Sequence, residues 1–248
     1  MARYDYRTVR LFVDAALSAG AVVPLDKSQS NYLCNVMRLS AGDPVQVFNG
    51  REGEWRAVLD SGSKKSAALT LAEQTRPQEK ATDLHYLFAP LKHARLDYMV
   101  QKAVELGVSR LCPVMTRHTQ AARVNLERMQ ANAVEAAEQC GVLAIPDVAP
   151  PQSLSAALQA MEPERVLIFC DEGAELHDPV AALRAGHKSG QPLAVLIGPE
   201  GGFADEERAA LVKHEGVVRL SLGPRILRAD TAAVAALTLV QAVLGDWR

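Results

Sequence analysis

Leu196-Ile-Gly-Pro-Glu-Gly-Gly202 and Leu220-Ser-Leu-Gly-Pro-Arg-Ile-Leu-Arg-Ala-Asp-Thr231 share one layout: an apolar run, a glycine- and proline-bearing loop, then a helix-like pattern. Gly198, Gly201, Gly202 and Gly223 let main chain pass close to a ligand or to other main chain, where a Cβ would clash. Pro199 and Pro224 stiffen the same turns and each removes one donor. Two such loops at the ends of neighbouring strands form a pocket of backbone amides and carbonyls, which suits a flat, polar-edged cofactor. Taken singly, the glycines also suit plain tight turns.

The same rhythm extends outward from these loops. Leu193–Ile197 and Val166–Phe169 are short all-apolar runs, as expected of buried parallel strands. Leu84–Phe88, Val108–Cys112 and Val217–Leu222 read as further strands. Between them lie helical patterns: Leu96, Met99, Val100 and Ala103 before Gly107; Leu126 to Cys140, capped by Asn125 and ended by Gly141; Asp178-Pro179 to Leu183; Ala204–Lys213; and Thr231–Leu244. This βα alternation predicts an α/β domain with a mainly parallel sheet over residues 81–248.

Residues 1–73 read as a small β-rich unit. Val45–Phe48 and Trp55–Leu59 flank Asn49-Gly50, a strong hairpin signal, and Ala67–Leu71 is another strand. A helix over Ser28–Met37 places Tyr32, Leu33, Val36 and Met37 on one face. Residues 74–80, polar apart from Pro77, are expected to be the linker.

Composition is that of an ordinary globular protein: 48% apolar, 23% charged, net charge -2 over 248 residues. No global basic field announces a nucleic-acid partner. The four cysteines, Cys34, Cys112, Cys140 and Cys170, lack metal-like spacing and are expected to be buried reduced thiols, with no metal bound. No stretch resembles a signal peptide or a membrane span, so the expected location is cytoplasmic.

A glycine-rich loop ahead of a helix first points to phosphate. Here neither G-x-x-x-x-G-K-[ST] nor G-x-G-x-x-G after a strand is present. Asp205, Glu206 and Glu207 occupy the first helical turn, where they complement the helix dipole but repel phosphate. S-adenosyl-L-methionine, a nucleoside with a positive sulfonium and no phosphate, tolerates these surroundings far better.

Leu196-Ile-Gly-Pro-Glu-Gly-Gly-Phe203 and Leu222-Gly-Pro-Arg-Ile-Leu-Arg-Ala-Asp-Thr-Ala232 resemble the two cofactor motifs of the bacterial 16S rRNA uridine-N3 methyltransferase family, RsmE, in the knotted SPOUT superfamily. Gln101-Lys-Ala-Val-Glu-Leu-Gly-Val108 and Glu135-Ala-Ala-Glu-Gln-Cys-Gly141 are similar to its other two signature segments. Arg10–Val13, Asn35–Leu39 and Ser63–Ser66 match its small PUA-like RNA-binding domain. The resemblance covers essentially the whole chain in order. It implies a C-terminal trefoil-knot methyltransferase domain and a homodimer, with the apolar final helix shared between core and subunit contact. It also implies S-adenosyl-L-methionine held by Ile197, Gly198, Pro199, Glu200, Gly201 and Gly202 on one wall. Leu220, Leu222, Gly223, Ile226, Leu227 and Arg228 form the other, with Phe169 to Glu172 nearby. Two positions depart from the family: Asp230 stands where glutamate is usual, and Val142 where many members carry an arginine. Arg117 or His118 is the candidate to replace that arginine.

Such a reaction attacks a sulfonium carbon with an imide nitrogen that normally carries a proton, so the site must stabilise the anion or accept the proton. Arg228 is the candidate for holding a uracil carbonyl or the developing anion; the alternative is a salt bridge to Asp230 or Glu200. Glu200 is given a cofactor-loop role, with capping of backbone amides as its simplest form. N3 lies on the Watson–Crick edge, so the target must be unpaired or extruded. Arg10, Arg38, Lys64, Lys65, Lys92, Arg95 and Arg117 are the expected RNA contacts, with Arg3, Arg7 and His93 as further candidates. The expected partner is 16S rRNA in an assembled 30S subunit, with no membrane involved. The rival readings are a knotted enzyme for another RNA position or a ribose 2′-hydroxyl, and a non-catalytic RNA-binding factor.

Overall fold

The computed structural model describes residues 7–60, 66–92, 94–121, 123–175 and 178–247. The chain forms two compact units, one of residues 1–80 with Ala137–Ile145, the other of Ala81–Ala136 with Pro146–Arg248.

The first unit is built on strands β1 (Val9–Phe12), β2 (Val22–Pro24), β3 (Pro44–Phe48), β4 (Glu54–Leu59) and β5 (Ala68–Arg76), ordered β1-β3-β4-β5-β2. β1 runs parallel to β3, and the remaining pairs are antiparallel. Leu11, Val45, Val47, Leu69 and Leu71 close the core, each such burial contributing about 2 kcal/mol. The β3–β4 hairpin forms where Asn49-Gly50 predicts it, with Asn49–Gly53 as its loop. Asn49 Oδ1 accepts from the N–H groups of Arg51 and Glu52, each at 3.0 Å. Gln74, Thr75 and Arg76, read from sequence as linker, belong to β5: Thr75 Oγ1 donates to Glu54 O at 3.1 Å.

The helix expected over Ser28–Met37 needs correction. It is a short α1 (Lys27–Asn31) followed by a π-helical turn, Tyr32–Val36, in which the Met37 N–H reaches Tyr32 O at 2.9 Å. The wider turn rotates the register. Leu33 stays buried, while Val36 and Met37 are exposed rather than on a core face. Arg38 ends the turn at φ 58°, a left-handed conformation uncommon for a residue with a side chain.

Arg10, expected at the RNA surface, is instead interior. Its guanidinium pairs with Glu54 at 2.7 Å and lies 4.4 Å from the Phe48 ring centroid. It also donates to the carbonyls of Ala137, Glu138 and Val142. With four of its five N–H donors used and its side chain 8% exposed, this guanidinium is withdrawn from phosphate.

The second unit holds strands β6 (Leu84–Phe88), β7 (Arg110–Met115), β8 (Asp147–Val148), β9 (Gln152–Ser153), β10 (Val166–Cys170), β11 (Leu193–Ile197) and β12 (Val217–Leu220). All pairings are parallel, in the order β12-β10-β11-β6-β7-β8, with β9 also on β7. Helices α2 (Ala94–Glu105), α3 (Leu126–Cys140), α4 (Leu154–Gln159), α5 (Pro179–Gly186), α6 (Asp205–Lys213) and α7 (Ala229–Val243) connect them. The α/β class and the parallel sheet are those the sequence predicts. The apolar runs of β10 and β11 are buried on both faces, as a covered parallel sheet requires. Helix α7 packs against α2, α5 and β11. Its Gln241 is buried because Nε2 donates to Leu106 O at 2.6 Å. The expectation of four buried thiols fails: Cys112 is buried, Cys34 and Cys170 are half-buried, and Cys140 is exposed near the α3 terminus.

Candidate functional site

Parallel strands end at one edge of their sheet, and ligands of open α/β sheets sit at that edge. Here the loops after β10, β11 and β12 enclose a cavity of about 550 Å³. Phe169–Ala174 form one wall, Ile197 to Glu200 with Gly202 and Phe203 a second, and Leu220–Ala229 with Ala232 of α7 the third.

Local chemistry shapes each wall. A Cβ on Gly198 would lie 2.5 Å from the Phe203 ring, which packs edge-on against Phe169 at 5.4 Å. Gly202 takes φ 68° and Gly223 φ 101°, conformations that favour glycine. Gly202 N–H donates to Pro199 O, and Gly202 O lies 3.1 Å from His118 Nδ1. The acidic start of α6 is used by the protein itself. Glu207 accepts from its own N-cap Ala204 at 3.0 Å and from the Arg117 amide at 2.9 Å.

Asp171 anchors the first wall. Its carboxylate accepts from Arg208 and Arg219, and from the Gly173 N–H at 3.0 Å. Burial pushes this carboxyl up, but the two guanidiniums and the amide outweigh it and hold it below the usual range. Arg219 also donates to Gly173 O, closing the turn that faces the cavity.

Of the residues expected at the cofactor, Ile197, Gly198, Pro199, Glu200, Gly202, Leu220, Leu222, Gly223, Ile226, Leu227 and Arg228 all line the cavity. Gly201 lies outside that lining, beside His118. Ile226 is 88% exposed, an unusual state for a large apolar side chain. Phe203, Arg208 and Arg225 also line the cavity and were not anticipated. Phe203 had a signal, since it directly follows the glycine loop; Arg208 had none, because its partner Asp171 lies far off in sequence.

Arg228 is exposed and its side chain has no hydrogen bond or ion pair among the described residues. The bridge to Asp230 or Glu200 weighed from sequence is therefore absent. Arg95 holds both carboxylates: Nε donates to Asp230 Oδ2 at 3.0 Å and Nη1 to Glu200 Oε1. The hydrogen bond from Arg95 keeps the Asp230 carboxyl below its ordinary range. Glu200 thus serves a guanidinium rather than backbone amides. Among the other expected RNA contacts, Arg38, Lys92 and Arg117 are exposed. Arg3, Lys64, Lys65 and His93 lie outside the described residues.

The lining fits a phosphate-free nucleoside cofactor. Among the described residues, the main-chain groups of Leu222 to Leu227 form no hydrogen bond within the protein, leaving donors and acceptors for a ligand. Phe169, Phe203 and the leucines of the third wall supply apolar faces. Of the acids on the lining, Asp171 and Glu200 are paired with guanidiniums, which leaves Glu172 to offer negative charge to a cationic ligand.

Residues 78–241 match the RNA methyltransferase domain family, and residues 25–72 the RNA methyltransferase PUA domain family. Ribosomal RNA small subunit methyltransferase E of Synechocystis sp. is 33% identical over 95% of this chain and 78% of its own. The chain belongs to that methyltransferase E family. A putative methyltransferase from Legionella pneumophila, solved in complex with the bound cofactor SAM, has TM-score 0.85 and 29% identity, covering 97% of this chain and 99% of the other. The methyltransferase E of Neisseria gonorrhoeae, bound to S-adenosyl methionine, has TM-score 0.83 and 26% identity, covering 98% and 100%. As a methyltransferase E family member, the chain pairs an N-terminal PUA-like unit with an α/β methyltransferase unit whose loops form the cavity.

Proposed function

We propose that this protein is an S-adenosylmethionine-dependent methyltransferase of small-subunit ribosomal RNA, and that it methylates N3 of a uridine in 16S rRNA. The observation that carries the reading is the cavity at the strand ends, lined by main-chain groups of Leu222 to Leu227 that have no partner among the described residues. The domain that binds the cofactor is read as a SPOUT trefoil knot spanning residues 81–248. The first unit, residues 1–80 with Ala137–Ile145, is read as the RNA-binding PUA-like domain, and a homodimer works on an assembled 30S particle in the cytoplasm without a metal.

When bound, the cofactor supplies an electrophilic methyl group on a positively charged sulfur. Ile197, Gly198 and Leu222 to Leu227 would hold it through main-chain groups, and Phe169 and Phe203 would give it apolar contact. Arg228, exposed at the cavity lip with no competing partner, offers its donors to a uracil carbonyl. There it would stabilise the negative charge that develops as the N3 proton passes to water. A fixed substrate orientation converts an encounter into an in-line reaction and accounts for much of the rate. Arg38, Lys92 and Arg117 supply exposed positive charge for phosphate, which positions RNA without reading its sequence.

The test is methyl transfer from labelled cofactor to assembled 30S particles and to naked 16S rRNA from a strain lacking the gene, with the product nucleoside identified by mass spectrometry. N3-methyluridine on 30S particles is expected. A ribose methyl, or a methyl on another base, overturns the uridine-N3 reading.

A further inference from the structure

We infer that Arg95 is a positioning residue that locks two walls of the cofactor cavity together, and not a contact for RNA phosphate. The inference rests on the cofactor reading above. Arg95 stands in the first turn of α2, which follows β6. It reaches Glu200 in the loop after β11 and Asp230 in the first turn of α7, immediately beyond the loop after β12. One guanidinium therefore joins segments 105 and 135 residues away in the sequence.

The guanidinium of Arg95 is turned away from solvent phosphate. Nε and Nη1 are used by the two carboxylates, and Nη2 is buried with no hydrogen-bond partner among the described residues. No edge of the fork is left for a phosphate, which needs accessible parallel N–H groups. Neither Glu200 nor Asp230 has another cationic partner among the described residues. Without Arg95, two like charges gathered by one guanidinium would face each other, and the walls that carry them would separate. An exposed ion pair alone stabilises little. A planar fork that sets the spacing of two loops instead governs how well a ligand fits between them.

The charge arrangement makes a signed prediction. Arg95→Ala leaves two uncompensated carboxylates, so Glu200→Gln added to that variant should relieve part of the damage. A residue that merely contacts RNA would show no such relief. The experiment measures calorimetric binding of S-adenosylmethionine and of S-adenosylhomocysteine, which lacks the sulfonium charge, alongside kcat and the KM for 30S particles. Arg95→Ala is expected to weaken both ligands about ten-fold and to lower kcat, while the KM for 30S particles changes less than about two-fold. Arg95→Lys should recover part of the loss, and Arg95→Ala/Glu200→Gln should bind both ligands more tightly than Arg95→Ala. Should Arg95→Ala fail to fold, Glu200→Gln and Asp230→Asn must each weaken both ligands in the otherwise native protein. Unchanged ligand binding with a raised KM for 30S particles overturns the inference, as does a double variant worse than Arg95→Ala. A native protein that takes up neither ligand sinks the cofactor reading instead, a result distinct from either.

Discussion

Nε of Arg219 on β12 lies 2.9 Å from Oδ2 of Asp171, the residue that follows β10. This contact ties the ends of two adjacent strands together where their loops begin to form the cavity. The carboxylate is almost fully buried, whereas Arg208 and Arg219 keep part of their guanidiniums in solvent. Removing the carboxylate strands two cations that water can partly reach. Asp171→Ala is expected to cost about 2 kcal/mol, below the range for fully buried pairs, and urea denaturation measures it.

Acid should expose the same interaction. Asp171 and Asp230 are held below the usual carboxylate range. A hydrogen bond from Arg165 pulls Glu162 down to about 2. Groups with depressed folded-state values stabilise the fold above their unfolded values, and that contribution disappears as pH falls through the folded ones. Burial also lowers His85, so the melting temperature is expected to decline gently below about pH 6.5 and steeply below about pH 4. In Asp171→Asn the native protein should already melt lower at pH 7, and its further loss in acid should be shallower. A scan of melting temperature against pH reads both slopes.

Gly198→Ala brings a methyl against the Phe203 ring, which Phe169 backs from the other side. The ring must turn, at a cost of about 1–3 kcal/mol. Because Phe203 lines the cavity, cofactor binding measured by calorimetry should weaken together with thermal stability.

If Arg228 serves the target base as proposed, Arg228→Ala should lower kcat for methyl transfer about 100-fold while leaving cofactor affinity within about three-fold. Arg228→Lys should restore part of the rate. A loss confined to cofactor affinity would assign Arg228 to the cofactor instead.

Arg10 and Arg38 separate two meanings of a basic residue in the first unit. Arg10→Ala leaves Glu54 buried without its closest cation and strands three carbonyls, so stability should fall by about 3 kcal/mol. Arg38→Ala removes an exposed charge: the melting point should hold, and the salt dependence of RNA binding should flatten by about one ion. Denaturation and filter binding at graded salt distinguish the two.

The strands were legible because their chemistry is local. Leu193–Ile197 is apolar at every position, and only a sheet covered on both faces buries every one of them. Gly107 and Gly141 mark helix ends and adopt the positive φ that such ends need. The cavity lining was legible for a similar reason, since each wall is a contiguous loop. What escaped depends on partners far apart in the chain. Nothing near Arg10 in sequence announces that Glu54 and the end of α3 will enclose it, so a basic residue reads by default as surface. Arg95 likewise read as a cation for RNA, because its carboxylate partners are distant. The π-helical turn at Tyr32–Val36 adds one residue to an α-like pattern, and periodicity has no marker for it.

The grouping of Ala137–Ile145 with the amino-terminal strands bears on how such a protein can be rebuilt. A fragment cut at residue 80 would lose the carbonyls that receive Arg10, along with the Glu138 carboxylate that receives the Phe12 amide. It would be an amputated half rather than a transplantable module. Grafting this recognition head onto another enzyme requires carrying the internal patch with it, or replacing Arg10 and Glu54 together with apolar side chains.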